Sequence, residues 1–146
     1  MPASEQAQAT ITGYPAGLAR RVGALLYDAL LIIALWMATL LPWVVANGGN
    51  VVSGPLLQAI LLLELTAFYL YSWSKQGQTL GMKTWRIKLV DKNGQRPTFR
   101  QLLLRLLTAP LSWLSGGLGY VWLYVGAERQ TWHDRLSQTM VVHLPR

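Results

Sequence analysis

The chain has 146 residues, enough for one domain, and contains no cysteine, which excludes disulfides and thiolate metal sites. Hydrophobic residues make up 52% and charged residues 13%, against about 25% charged in an ordinary soluble domain, so a water-soluble globular fold is disfavoured. Thirteen basic residues against six acidic ones give +7, a balance that suits nucleic acid, an acidic partner or an anionic membrane surface, depending on where the charges fall.

Residues 1–13 are small, polar and without periodicity, and are expected to form a disordered cytoplasmic tail. Residues 22–46 form an apolar run with a single charge, Asp28. At about 1.5 Å of rise per residue this run crosses a bilayer core of about 30 Å with some tilt. Its length and the internal aspartate argue against a signal peptide. Asn47, Gly48, Gly49 and Asn50 form an uncharged turn, Ser53 is placed to cap the next helix, and Pro55 suits that helix's first turn. A second apolar run, residues 55–74, again holds one charge, Glu64. Phe68, Tyr69, Tyr71 and Trp73 crowd its end and read as an interfacial aromatic belt.

Residues 75–101 form a basic loop, and with Arg105 the stretch holds eight basic residues against Asp91 alone. Trp85, Ile87 and Leu89 alternate with Arg86 and Lys88 in a strand-like period of two, and Asn93-Gly94 signals a hairpin turn. A short β-like arm lying on the membrane surface is expected there. Thr98 and Gln101 form a capping-box pattern that opens a helix. The third apolar segment, residues 102–127, is interrupted by Pro110 and by Gly116, Gly117 and Gly119. It either crosses once with a kink or re-enters as two short helices. A polar tail, residues 128–146, follows and ends in a short strand-like run from Thr139.

Loop charge sets the expected direction. The turn after the first run has no basic residue, whereas the loop after the second is rich in them and Arg20 and Arg21 flank the first run. Positive residues collect on the cytoplasmic side, so the N-terminus is expected to be cytoplasmic and the membrane to be the cell (inner) membrane. That explains most of the +7 without nucleic acid.

Ionisable residues inside apolar runs mark functional sites by default. Asp28 must be paired, protonated or turned to water. Arg21 lies two helical turns earlier on the same face, but the two side chains do not lean toward each other. Glu64 lies at a depth similar to that of Asp28, so the two carboxylates either share a proton or cation or act as separate structural acids. His133-Asp134 lacks the companions of a catalytic or metal motif, and Asp134 is expected to anchor the tail by capping or pairing. Gly77, Thr79 and Gly81 read as a helix-exit turn with glycines in left-handed conformations. No cofactor or metal motif is present, and no enzyme activity is expected.

Three separated motifs resemble the RDD family. Arg20 and Arg21 followed by Asp28 are similar to its opening. The run Gly77, Gln78, Thr79, Leu80, Gly81, Met82, Lys83, with Arg86 to Asp91 and Asn93-Gly94, is similar to its middle. The run Arg129 to Thr139, with His133 and Asp134, is similar to its end. The resemblance covers residues 14–146 as one membrane domain and implies that Arg21, Asp28 and Asp134 are the defining charges. If Arg21 and Asp134 act together, the C-terminal tail lies on the same side as Arg21. The expected fold is an all-α integral membrane protein, a small helical bundle with two transmembrane helices, a kinked or re-entrant third segment and a β-like cytoplasmic arm. The expected role is a component of small-ligand or ion transport, with a membrane scaffold or assembly partner as the alternative. Expected partners are the bilayer, including anionic lipid, and a second copy of the chain or another membrane protein.

Overall fold

A computed structural model of the chain describes residues 13–127 and 129–145. The expected disordered tail lies, apart from Gly13, outside the described residues. Strand β1 (Tyr14–Pro15) leads into helix α1 (Leu18–Ala46), and α2 (Pro55–Gln76) follows the turn. Next come α3 (Leu80–Thr84), β2 (Ile87–Asp91), α4 (Phe99–Leu114), α5 (Leu118–Val125), α6 (Trp132–Ser137) and β3 (Thr139–His143).

Helices α1 and α2 are long and apolar enough to cross a membrane. The 29 residues of α1 start four positions before the expected run, because Arg20 and Arg21 continue the helix. Its length is roughly 43 Å against a hydrocarbon core of about 30 Å, so about one end's worth of two turns projects beyond the core. Its buried residues, Arg21, Ala24, Asp28 and Ile32, fall on one stripe at helical spacing. The other faces expose Leu26, Leu30, Ile33, Met37, Leu41 and Val45. Ser53 does not cap α2; Gly54 takes that position at φ 137°, with Pro55 in the first turn. Trp73 is not part of an exposed belt. It is 9% exposed and packs in the core with Ala16, Ala24, Met82, Leu89 and Val141.

The basic loop is folded. The Asn93-Gly94 turn forms, with Gly94 donating to Asp91 O and Asp91 N donating to Gln95 O. It does not close a local hairpin, because β2 pairs with the distant β3 instead. The sheet order is β1-β3-β2, both pairs antiparallel, with Leu89 opposite Val141 and Pro15 opposite Val142. The strand residues lie in a three-stranded sheet packed into the core, and the fold is mostly helical with this sheet added rather than all-α.

The capping box at α4 forms as Thr98 and Gln101 predict. Helix α4 runs through Pro110 without ending there. The break comes later, where Gly116 (φ 70°) and Gly117 (φ 84°) take left-handed conformations that disfavour side chains. The chain turns by 95° between α4 and α5. Strand β3 sits between β1, which enters α1, and β2, which follows α2. The entry to α1, the exit from α2 and the C-terminal strand are thus gathered at one end of the two long helices.

Candidate functional site

At this sheet end, buried charges from three helices meet. Arg21 on α1 donates from Nε to Ala16 O at 3.0 Å and from Nη1 to Asp134 Oδ2 at 2.6 Å. Arg105 on α4 donates from Nη1 to the other oxygen, Asp134 Oδ1, and to Thr139 Oγ1 at 3.1 Å. Asp134 is 0% exposed. It also closes the capping box of α6, accepting from Thr131 N at 3.2 Å while its own amide donates to Thr131 Oγ1 at 3.3 Å. One carboxylate therefore ties α1, α4 and α6 together. Burial alone would raise its pKa, but the Arg21 and Arg105 guanidiniums outweigh that and hold the group below the usual carboxylate range.

Asp28 forms a second knot. Its Oδ2 accepts from Thr79 Oγ1 at 2.5 Å and its Oδ1 from Gly81 N at 2.9 Å. Thr79 Oγ1 in turn accepts from Met82 N, capping α3. Asp28 is thus the anchor that holds the start of α3 against α1, and Arg21 is not its direct partner. Gly81 does not sit in a left-handed conformation. It is required because a Cβ there would lie 2.2 Å from Ala24 O and 2.9 Å from Asp28 Oδ1. Gly77 does take the left-handed form, at φ 67°, and its carbonyl accepts from Leu89 N.

Glu64 belongs elsewhere. Its Oε1 accepts from Thr39 Oγ1 at 2.5 Å, joining α1 to α2. Thr39 lies about 16 Å along α1 from Asp28, so the two acids have separate partners at different heights. Lys83 is exposed on α3 and lines a groove that also reaches Glu64, apart from the charge cluster.

His133 is buried between Ser112, whose Oγ lies 2.9 Å from Nδ1, and Thr131, whose Oγ1 lies 3.2 Å from Nε2. Burial, with Arg105 beside it, pushes its pKa down to about 3, so the ring is neutral. The Ser–His adjacency resembles a nucleophile and base, but Ser112 is 0% exposed, and a Cβ on Gly119 would meet its Oγ at 2.4 Å. The pair is a packed structural contact.

Between these groups lies a cavity of about 60 Å³, lined by residues including Arg21, Asp28, Trp73, Arg105, Tyr120 and His133. The Arg105 guanidinium stands 5.5 Å from the centre of the Trp73 ring. Arg21 and Trp73, two of the lining residues, each hold a buried donor, Nη2 and Nε1, with no hydrogen-bond partner among the described residues. Arg105 and Trp73 were not singled out by the sequence as site residues. Arg105 was readable in principle: it interrupts an apolar stretch of α4 as Asp28 interrupts α1, and the same rule about ionisable groups in apolar runs covers both.

No solved structure matches the chain. An uncharacterized protein of Rickettsia prowazekii (strain Madrid E) is 28% identical over 88 residues, covering 60% of this chain and 49% of that protein. The chain thus spans about half the length of this curated relative. The model of the RDD family matches residues 15–138, which include Arg21, Asp28, Arg105 and Asp134. The apolar helices, the charge cluster and this match agree: the chain is a membrane protein and belongs to the RDD family.

Proposed function

We propose that this chain is a ligand-binding component of a membrane transport system and that it carries out no covalent chemistry. The observation that carries this reading is the cavity between α1, α2 and α4, where Arg21 and Trp73 leave buried donors without protein acceptors. A buried donor with no acceptor costs about 1–3 kcal/mol, and a bound group that accepts from it recovers that cost. Charges held in fixed pairs, such as Arg21–Asp134, suit a rigid frame around a ligand better than a carrier of protons.

In this reading the sheet end faces the cytoplasm and the membrane is the inner membrane. Basic residues support it: Lys75, Lys83, Arg86, Lys92, Arg96 and Arg100 all belong to that end, whereas residues 47–54 hold none. They also suit contact with anionic lipid. The pair α4–α5 then re-enters rather than crosses, with 16 and 8 residues giving about 24 and 12 Å of rise, each short of the core.

Two long helices enclose no pathway by themselves, so the working unit is an oligomer or a complex. Only 6% of the most apolar window of α1 is buried within the chain, which leaves that face open to lipid or to a further helix. A scaffold role is the second reading, and this same uncovered face supports it. Purified chain in liposomes, assayed for binding and flux of small anions and cations under imposed gradients, tests the proposal. Saturable binding with flux is expected; absence of both for every solute overturns it.

A further inference from the structure

Apart from the charge cluster, residues of α1, α2 and α3 line a groove of about 600 Å³. Its α2 wall includes Glu64, Ala67, Phe68, Tyr71, Ser72 and Lys75, which recur every three or four positions and so form one stripe of that helix. Leu35 from α1 and Leu80 from α3 add apolar surface. Tyr71 is 66% exposed and Leu80 51% exposed, so the chain itself leaves the groove open. Its volume falls within the roughly 300–1,000 Å³ typical of small-molecule sites.

The two ends of the groove differ. Lys75, Gln76, Gln78 and Lys83 gather where α2 ends and α3 begins. Glu64 stands 11 residues before Lys75, about 16 Å along the helix, where its Oε1 accepts from Thr39 Oγ1. Even with Glu64 ionised, two lysines against one acid leave the lining net positive. Between Glu64 and Asp91 the chain holds no acid and four basic residues, Lys75, Lys83, Arg86 and Lys88. None of the four makes an ion pair among the described residues. Lys88 stands close by, since a Cβ at Gly77 would lie 3.2 Å from its Cε. Gln78 Nε2 already donates to Ile87 O, so the lysines are the donors left for a ligand. The carbonyl end of α2 offsets part of the Lys75 charge, which gives Lys83 on α3 the larger share. Exposed cations without counter-charge, continuous with an apolar helix stripe, complement an anionic head joined to hydrocarbon.

We propose that this groove seats one anionic phospholipid, its phosphate between Lys75 and Lys83 and one acyl chain lying along Ala67, Phe68 and Leu35. The lipid comes from the leaflet at the sheet end, where the end of α2 meets the head groups. The proposal rests on the reading that this end lies at the membrane surface, and it narrows a general affinity for anionic lipid to a defined site. It does not depend on transport.

The test is native mass spectrometry of the full chain in detergent, titrated with phosphatidylglycerol or with phosphatidylcholine of the same acyl chains. One phosphatidylglycerol per chain is expected to bind at least about tenfold more tightly than phosphatidylcholine, the combined effect of two lysines at about fivefold each. Lys75→Gln and Lys83→Gln should each weaken phosphatidylglycerol about fivefold, and the double variant should lose the preference. Lys92→Gln with Arg100→Gln removes the same charge from exposed positions outside the groove and should leave the affinity unchanged. Ala67→Trp fills the apolar stripe while both lysines remain, and it should abolish the single tight site. All variants alter exposed residues, and thermal unfolding in the same detergent separates misfolding from loss of the site.

If the Lys92 and Arg100 pair costs as much as the Lys75 and Lys83 pair, the attraction is diffuse: the groove site is overturned and the general lipid contact stands. Tight binding that survives Ala67→Trp also overturns the groove. Displacement of phosphatidylglycerol by an equal concentration of inorganic phosphate would make the site one for free phosphate and would end the lipid assignment. Equal affinity for the two lipids overturns the proposal together with the general contact, whatever the flux assay shows.

Discussion

Arg21 and Asp134 lie 113 positions apart in the chain, and their side chains meet at 2.6 Å with both buried. The contact closes the fold on itself: the start of the first long helix is pinned to the short helix that precedes the last strand. Arg105 takes the other oxygen of the same carboxylate, so the unit is a triad rather than a pair. Removing one member of such a unit is costly because it strands the others without counter-charge.

Asp134→Ala should therefore destabilise the fold by about 3–5 kcal/mol, since two buried guanidiniums lose their common partner. Thermal unfolding of the purified chain in detergent measures it. The reciprocal exchange Arg21→Asp with Asp134→Arg should not rescue stability, because a guanidinium at position 134 would face Arg105. Full recovery in the double variant would show that the Arg105 contact has no weight.

Asp28→Asn should cost about 1.5–3 kcal/mol. The carboxylate accepts from both Thr79 Oγ1 and Gly81 N, and an amide offers only one oxygen for the two donors. Thr79→Ser retains the hydroxyl that bonds Asp28 and caps α3, so it should stay close to the parent in the same unfolding assay. Thr79→Val should approach the loss seen with Asp28→Asn.

Gly81→Ala should be destabilising by about 1–3 kcal/mol or more, because the added methyl meets the Ala24 carbonyl and forces α3 off α1. Gly17→Ala is the control. Nothing lies within 4 Å of a Cβ there and its φ of −67° suits any residue, so only the loss of up to about 1 kcal/mol for alanine in place of glycine at a helix N-cap is expected. Melting temperatures of the two variants side by side decide the matter; equal behaviour would refute the close approach of α3 to α1.

Stability should fall as pH drops from 6.5 toward 4, mainly through His133. Its folded pKa of about 3 is below its ordinary value of 6.5, so the unfolded chain binds the extra proton across that interval. The contribution is complete above pH 6.5 and declines below it. Asp134 is held below its ordinary value of 3.8, so its contribution is present above that pH and is lost only under stronger acid. His133→Gln, which cannot take a proton, should flatten the dependence of melting temperature on pH between 6.5 and 4. An unchanged slope would place the titrating group elsewhere.

Through the family resemblance the sequence pointed to Arg21 and Asp134; by itself it determined the membrane character, the two long helices, the capping box at Thr98 and Asp28 as a charge in need of a partner. These follow from local quantities: runs of apolar residues, a cap spaced three positions from its partner, and charges where hydrocarbon makes charge expensive. Tertiary structure alone decided which charge meets which. Asp28 turned out to anchor the start of α3 through Thr79 and Gly81 rather than join Glu64, and Trp73 left the interfacial belt for the core to stand under Arg105. Strand β2 passed over its neighbouring turn to pair with β3, because that register buries Leu89 against Val141 and brings α6 onto the cluster. Periodicity along a chain reports which face of an element is apolar, but not which other element that face will meet. In this protein the meeting is fixed by one buried carboxylate, Asp134, that must satisfy Arg21 and Arg105 together.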